Sequence, residues 1–256
     1  MIILESILII MKGNFNMKDK TILIQGAMDI EVEYLIRNLE KKEKHMIAGY
    51  EFYTGYMHTS KVIISKTLVG VVNATTATTI AILTFHPDIV INQGIAGAHK
   101  SNIHIGDIII GENCCNINAF SMPTKEEGCS SNPFEWEPNK RGEEIQNGNE
   151  TLINIFKIFF ESNYENTIYT GTLGSGDVFN REYDRIMWLQ SQFHHLSEDM
   201  ESIGTYCVCN QFGIPCIGIR IISNNELTKE KLDKEQAIKL QKLFIKFFQN
   251  ETIRLL

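Results

Sequence analysis

Three carboxylates stand within four positions in Ser197-Glu198-Asp199-Met200-Glu201-Ser202. Carboxylates at that density are expensive to bury, so burying them requires partners. Alone, the stretch reads as a solvated turn, because acidic residues are mostly exposed and helix starts favour them. Another acid, Glu31, follows Thr21–Gln25 and Gly26 in a strand–glycine–helix pattern. That places it just beyond the carboxyl end of a strand, the edge where open α/β sheets bind ligands. The competing reading is a surface acid in a helix's first turn. The glycines around it do not form G-x-G-x-x-G, so no dinucleotide fingerprint is present. Two more stretches, Gln93-Gly94-Ile95-Ala96-Gly97-Ala98 and Gly174-Ser175-Gly176-Asp177-Val178-Phe179-Asn180, read as glycine-rich turns at strand ends. Such turns expose backbone amides to a ligand.

These residues need a scaffold. Val32, Leu35, Ile36 and Leu39 recur at helical spacing after Glu31. Tyr50–Met57 and Val62–Lys66 read as a hairpin around His58-Thr59-Ser60, with His58 a turn residue. An Ala/Thr-rich helix is expected over 71–85, broken by His86-Pro87-Asp88, with His86 a helix C-terminal cation. Ile89-Val90-Ile91-Asn92 is a continuous apolar run, as in a buried parallel strand. Short strands at 107–111 and 168–173 and helices at 151–160 and 182–193 follow, the last with Tyr183, Ile186, Leu189 and Phe193 on one face. Ile217–Ser223 is the last strong strand and runs into Asn224-Asn225-Glu226; 234–248 closes the chain as a helix. Segment 116–150 holds Pro123, Pro133, Pro138 and Trp136 and reads as a long functional loop. The alternation predicts an α/β domain with a mixed sheet.

At 256 residues, with no Gly/Ser linker or long charge run, one domain is expected. A net charge of −7 argues against non-specific binding of nucleic acid or anionic membrane, both of which need a basic patch. Cysteines at 114, 115, 129, 207, 209 and 216 lack paired zinc spacing, which points to buried free thiols in a reducing cytoplasm. Ile2–Met11 is apolar but too short to span a bilayer, and no basic n-region or cleavage site marks a signal peptide. Residues 1–16 are expected to be a dispensable extension of a single domain at 17–256.

Several of these segments, taken in order, resemble the nucleoside phosphorylase-like group, and within it the 5′-methylthioadenosine/S-adenosylhomocysteine nucleosidases. The matching pieces are Gly26-Ala27-Met28 with Glu31, Gly70, Pro87-Asp88, Ile91 to Gly97 and Gly106-Asp107-Ile108. Ser175-Gly176-Asp177-Val178-Phe179, Asp199-Met200-Glu201 and Arg220-Ile221-Ile222-Ser223 complete the set. The resemblance implies a three-layer αβα fold around a twisted mixed sheet, no metal or cofactor, and a homodimer. It implies that Glu31 activates the attacking water and that Glu201, beside Met200, holds ribose hydroxyls. It further implies that Phe179 stacks on the purine, that Ile95, Ala96 and Gly97 lie under base and ribose, and that Met28 and Val69 flank the sugar. Asp199, Arg220 and Ser223 belong to its substrate-binding motifs. Ala119-Phe120 is similar to part of a loop that reaches into the partner's site.

One position departs from the pattern. The family carries aspartate after Arg-x-x-Ser, where it serves purine N7; here Asn224 stands there. An amide can donate a hydrogen bond but cannot release a proton at neutral pH. Leaving-group activation is therefore weaker or falls to a neighbour such as Glu226, and a 6-oxopurine would also suit an amide. The expected function is cleavage of a purine nucleoside N-glycosidic bond by water. A phosphorylase would need cations for phosphate, and no arginine lies between Arg37 and Arg141. A purine-binding protein without catalysis is the third reading, and Asn224 is its support.

Overall fold

The computed structural model describes residues 20–139 and 145–250. The expected dispensable segment 1–16 lies outside them. The strands in chain order are β1 (Thr21–Gly26), β2 (Glu40–Ile47), β3 (Tyr50–Met57), β4 (Ser60–Lys66), β5 (Ile89–Ala98) and β6 (Ile108–Asn116). They continue with β7 (Phe120–Ser121), β8 (Glu137–Pro138), β9 (Ile145–Asn147), β10 (Ile168–Ser175), β11 (Ser197–Asp199) and β12 (Cys216–Asn225). The helices are α1 (Asp29–Arg37), α2 (Val71–Phe85), α3 (Glu150–Asn163), α4 (Tyr183–Phe193), α5 (Ser202–Phe212) and α6 (Gln236–Gln249).

The large mixed sheet runs β11-β10-β6-β12-β5-β1-β4-β3-β2, and β11 also pairs antiparallel with β5. That last pairing closes β5, β12, β6, β10 and β11 into a ring, from which β1, β4, β3 and β2 extend as a wing. Alternation along each strand sorts side chains to two faces. Ile22 and Ile24 of β1 join Val32 and Leu35 of α1, Phe156 and Phe159 of α3 and Phe244 and Phe247 of α6 in one core. Leu23 faces the other way, with Ala81 of α2 and Ile203, Tyr206 and Cys209 of α5. The result is the expected three-layer αβα arrangement around a mixed sheet.

Three features differ from expectation. Residues 93–98 are not a turn: β5 runs unbroken from Ile89 to Ala98, and β10 likewise continues through Gly174 and Ser175. The glycines there serve as gaps in a sheet face, not as bends. The pattern did not reveal β2, whose Glu40 to Lys44 are all exposed; an edge strand faces water and carries charge in place of apolar alternation. Nor did it reveal α5, which is buried on almost every side and so has no polar stripe.

The described residues of segment 116–150 are only partly irregular. They contribute β7, β8 and β9, and Phe120 packs against Trp136, Trp188 and Phe193, tying the segment to α4. Cys114, Cys115, Cys209 and Cys216 are buried free thiols as expected, whereas Cys207 is half-buried and Cys129 is exposed. Cys129 lies on the segment 116–150, outside the core that shields the others.

Candidate active site

The acidic stretch is not a solvated turn. Ser197–Asp199 form the buried strand β11, and Glu201 is the N-cap of α5. Asp199 and Arg220, both almost fully buried, pair at 3.0 Å. Asp199 Oδ1 accepts from Ser175 Oγ (2.8 Å), Glu201 N (2.9 Å) and Ser202 N (2.8 Å), and its Oδ2 accepts from Ser202 Oγ (2.6 Å). Arg220 Nε donates to Asp199, Nη1 to the carbonyls of Asn92 (3.0 Å) and Ile219 (3.1 Å), and Nη2 to Ser202 Oγ (2.8 Å) and Asn92 Oδ1. A guanidinium has five N–H groups, so none is left over. Both residues therefore lie beneath the site with their hydrogen-bonding capacity spent on the chain itself, which differs from a direct contact with substrate.

Glu31 is buried, not a surface acid. Its Oε2 accepts from the backbone amides of Ala27 (2.8 Å) and Met28 (3.0 Å), and its Oε1 from that of Ile95 (2.9 Å). Gln93 Nε2 donates to the Glu31 carbonyl at 2.8 Å. A side chain at Gly94 would collide with the Glu31 carboxylate, so the gap in β5 is what admits the acid from α1. Burial pushes the Glu31 carboxyl up, with the Ile95 amide and the Arg220 charge opposing.

Glu201 accepts from Gly70 N at 3.1 Å, at the start of α2. Asp177 from the segment after β10 caps the same helix by accepting from Val71 N at 2.7 Å. Burial first, then the charges of Asp199 and Glu31, push the Glu201 carboxyl up to about 7. That Glu31 contributes means the two acids, from opposite halves of the chain, meet in one electrostatic cluster. Met28, Ile95 and Met200 are half-buried around them, and Val69 is exposed next to Gly70.

Beyond the acids lie residues expected at a base. Phe179 is 51% exposed, with the Arg181 guanidinium 5.8 Å from its ring centre. Ala96 and Gly97 are buried in β5, and Asn224 pairs with Gly97 across a register shift that follows Ile222. Asn224 Oδ1 accepts from Ser223 Oγ (3.0 Å), and its Nδ2 faces Glu226 Oε1 at 3.5 Å. Glu226 in turn pairs with Arg181 at 3.4 Å.

The sequence profile of the Phosphorylase superfamily matches residues 21–255. The chain belongs to that superfamily. Over 222 residues, 85% of this chain and 90% of the relative, it is 31% identical to the 5′-methylthioadenosine/S-adenosylhomocysteine nucleosidase of Geobacillus sp. (strain WCH70). Its fold is similar to the 5′-methylthioadenosine/S-adenosylhomocysteine nucleosidase of Neisseria meningitidis, solved in complex with methylthio-immucillin-A. The TM-score is 0.76 at 23% identity, covering 88% of this chain and 97% of that one. A futalosine hydrolase mutant of Helicobacter pylori has the same fold, with a TM-score of 0.75 at 24% identity over 91% of this chain and 99% of the other.

In this superfamily member, several residues of the site lie in or beside the matching segments without a role that the sequence could assign. Ser202, Ser175 and Asn92 are ordinary polar residues until Arg220 and Asp199 meet them. Asp177, Gly70 and Gln93 act through backbone contacts. Glu198 sits in the acidic stretch but faces away from Glu201's partners, toward Asn180 and His99. Its place in β11, three residues before Glu201, is the clue the sequence offered.

Proposed function

We propose that this chain is a nucleosidase: it cleaves the N-glycosidic bond of 5′-methylthioadenosine, S-adenosylhomocysteine or a related purine nucleoside, with water as the acceptor. The observation that carries this reading is the placing of two acids together: Glu31 is held by the amides of Ala27, Met28 and Ile95, and Glu201 by that of Gly70, with the charge of Glu31 adding to burial and Asp199 in raising the Glu201 carboxyl. Two acids crowded together in a desolvated site are relieved by a positive charge between them. Ribose develops such a charge as its bond to the base breaks, so the acids stabilise the transition state more than the neutral substrate.

In this reading, Glu31 takes a proton from the attacking water, helped by burial that raises its carboxyl above the ordinary value. Three amides fix its rotamer, so little reorganisation is needed at the moment of reaction. Glu201 holds ribose hydroxyls, flanked by Met200, Met28 and Val69. Phe179 stacks on the purine over Ile95, Ala96 and Gly97. Asp199 and Arg220 hold Glu201 and α5 in place. Ser223, by donating to Asn224 Oδ1, leaves the amide's Nδ2, beside Glu226, as the donor for N7. That donor can bind the leaving base but cannot supply it with a proton.

Water is favoured over phosphate because Arg220, the cation beside both acids, has no donor left for an anion. The test is base release from methylthioadenosine, adenosine and inosine with and without phosphate. Release independent of phosphate supports hydrolysis. Release only with phosphate would make the enzyme a phosphorylase, and tight binding without release would make it a purine-binding protein.

The rest of the proposal is coarser. A homodimer acting in the cytoplasm on a salvage substrate follows from the family resemblance. Among the described residues no helix is long and apolar enough to cross a membrane. A single catalytic domain at 17–256 implies that deleting residues 1–16 leaves turnover intact.

A further inference from the structure

Behind the proposed base site lies a buried polar cluster that the reaction as described does not use. Glu198 Oε1 accepts from Asn180 N at 2.8 Å, and its Oε2 accepts from Asn180 Nδ2. His99, at the end of β5, brings Nε2 to 3.6 Å from the same carboxylate. His99 Nδ1 meets His195 Nε2 at 2.7 Å. His195 Nδ1 is buried without a hydrogen-bond partner among the described residues. Burial holds His99 down to about 4 and His195 well below the usual range, so both rings are neutral at neutral pH.

The position of Glu198 gives the cluster a consequence. Its backbone pairs with Gly97 of β5 and with Gly174 of β10. Its side chain grips the residue directly after Phe179. One residue thus ties the strand expected beneath the base to the segment carrying the aromatic ring expected above it. The segment from Gly176 to Glu182 belongs to no helix or strand, so such ties decide where Phe179 rests.

We propose that Glu198 is a positioning residue: by holding both amides of Asn180 to β11, it fixes the spacing between Gly97 and Phe179 and so sets affinity for the base. This rests on the reading of that slot as a purine site.

The grip depends on charge. An ionised carboxylate accepts both Asn180 donors. A protonated one presents a hydroxyl where Asn180 Nδ2 already points a hydrogen, and one bond must break or the amide must turn over. Burial pushes the Glu198 carboxyl up to about 7. Asp199 on its own strand pushes the same way, while the Asn180 donors and the Arg185 charge from α4 oppose. His99 faces it as a neutral ring, with neutral His195 beyond. Tight binding therefore belongs to the alkaline side of neutrality.

The test compares Glu198→Gln and Asn180→Ala with wild type. Glu198→Gln is expected to raise KM for methylthioadenosine about tenfold at about pH 8, where the wild-type carboxyl is mostly ionised, with kcat within about threefold. At about pH 6 the wild type is itself mostly protonated, and the KM ratio should shrink to about twofold or less. That shrinking ratio separates Glu198 from Glu201, whose protonation changes numerator and denominator alike. Asn180→Ala should reproduce the KM effect, and the double variant should add nothing to it. Amide hydrogen exchange across 176–182 should quicken in both variants while the sheet stays protected. A KM ratio that is flat with pH, a fall in kcat alone, or unchanged exchange in that segment would each overturn the proposal. If wild type cleaves no purine nucleoside, the nucleosidase reading fails separately, and the exchange experiment still decides whether Glu198 holds the segment.

Discussion

Glu201 illustrates how one side chain can work against stability. Its carboxyl lies at about 7 in the fold, above the 4.5 of an ordinary glutamate. A group raised in this way contributes stability that is fully present below about pH 4.5 and is lost as pH rises through about 7. The shift corresponds to at most about 3 kcal/mol. Glu201→Gln should therefore raise Tm by several degrees at pH 8 and by much less at pH 5, while turnover falls by about a hundredfold or more. Thermal melts at the two pH values, alongside base release, check both halves. Asn224 is the opposite case, a residue whose chemistry is missing a proton. Asn224→Asp should raise kcat/KM on adenine nucleosides by about a hundredfold, as a positioned general acid does. A fall in that value would mean the amide is tuned to a 6-oxopurine.

At the scale of elements, β5 matters most. Its run through Gly94 and Gly97 leaves two gaps in a packed sheet face, one filled by Glu31 and the other lying beside the Asn224 amide. Gly94→Ala would drive a methyl group into a carboxylate that three backbone amides hold still. The expected cost is about 1–3 kcal/mol of stability, as for other overpacked positions, together with loss of nearly all turnover. Urea unfolding and initial rates measure the two effects separately. The helices α2 and α5 serve the site through their starts: Gly70 N reaches Glu201, and Ser202 N reaches Asp199. Neither contact depends on the helix's apolar face, so neither follows from its periodicity.

Across the whole molecule, Arg220 joins strands distant in sequence. From β12 it bonds Asn92 on β5, Asp199 on β11 and Ser202 on α5. Removing one partner of a buried ion pair leaves an uncompensated charge. Arg220→Leu should cost about 3–5 kcal/mol, whereas adding Asp199→Asn should restore part of it, because the orphaned charge is then gone. Chemical denaturation of the single and double variants tests this coupling. The closed ring of β5, β12, β6, β10 and β11 is what allows a single arginine to reach all three.

The sequence by itself determined the α/β class, most strands and helices, and the residue types of the candidate site. Apolar runs and helical spacing are local, and Ile89–Asn92 or Val32 to Leu39 announce themselves within a few residues. It did not determine whether Glu31 and Glu201 were surface acids or held inside the fold, because burial depends on contacts far along the chain. Only the tertiary structure decided that Asp199 and Arg220 satisfy each other and that glycines in β5 are gaps and not turns. It also decided that Glu198 turns away from its neighbouring acids to hold Asn180. Those facts follow from the pairing of β11 with β5, which joins Ser197 to Ala98 and Glu198 to Gly97 across a hundred residues of intervening chain.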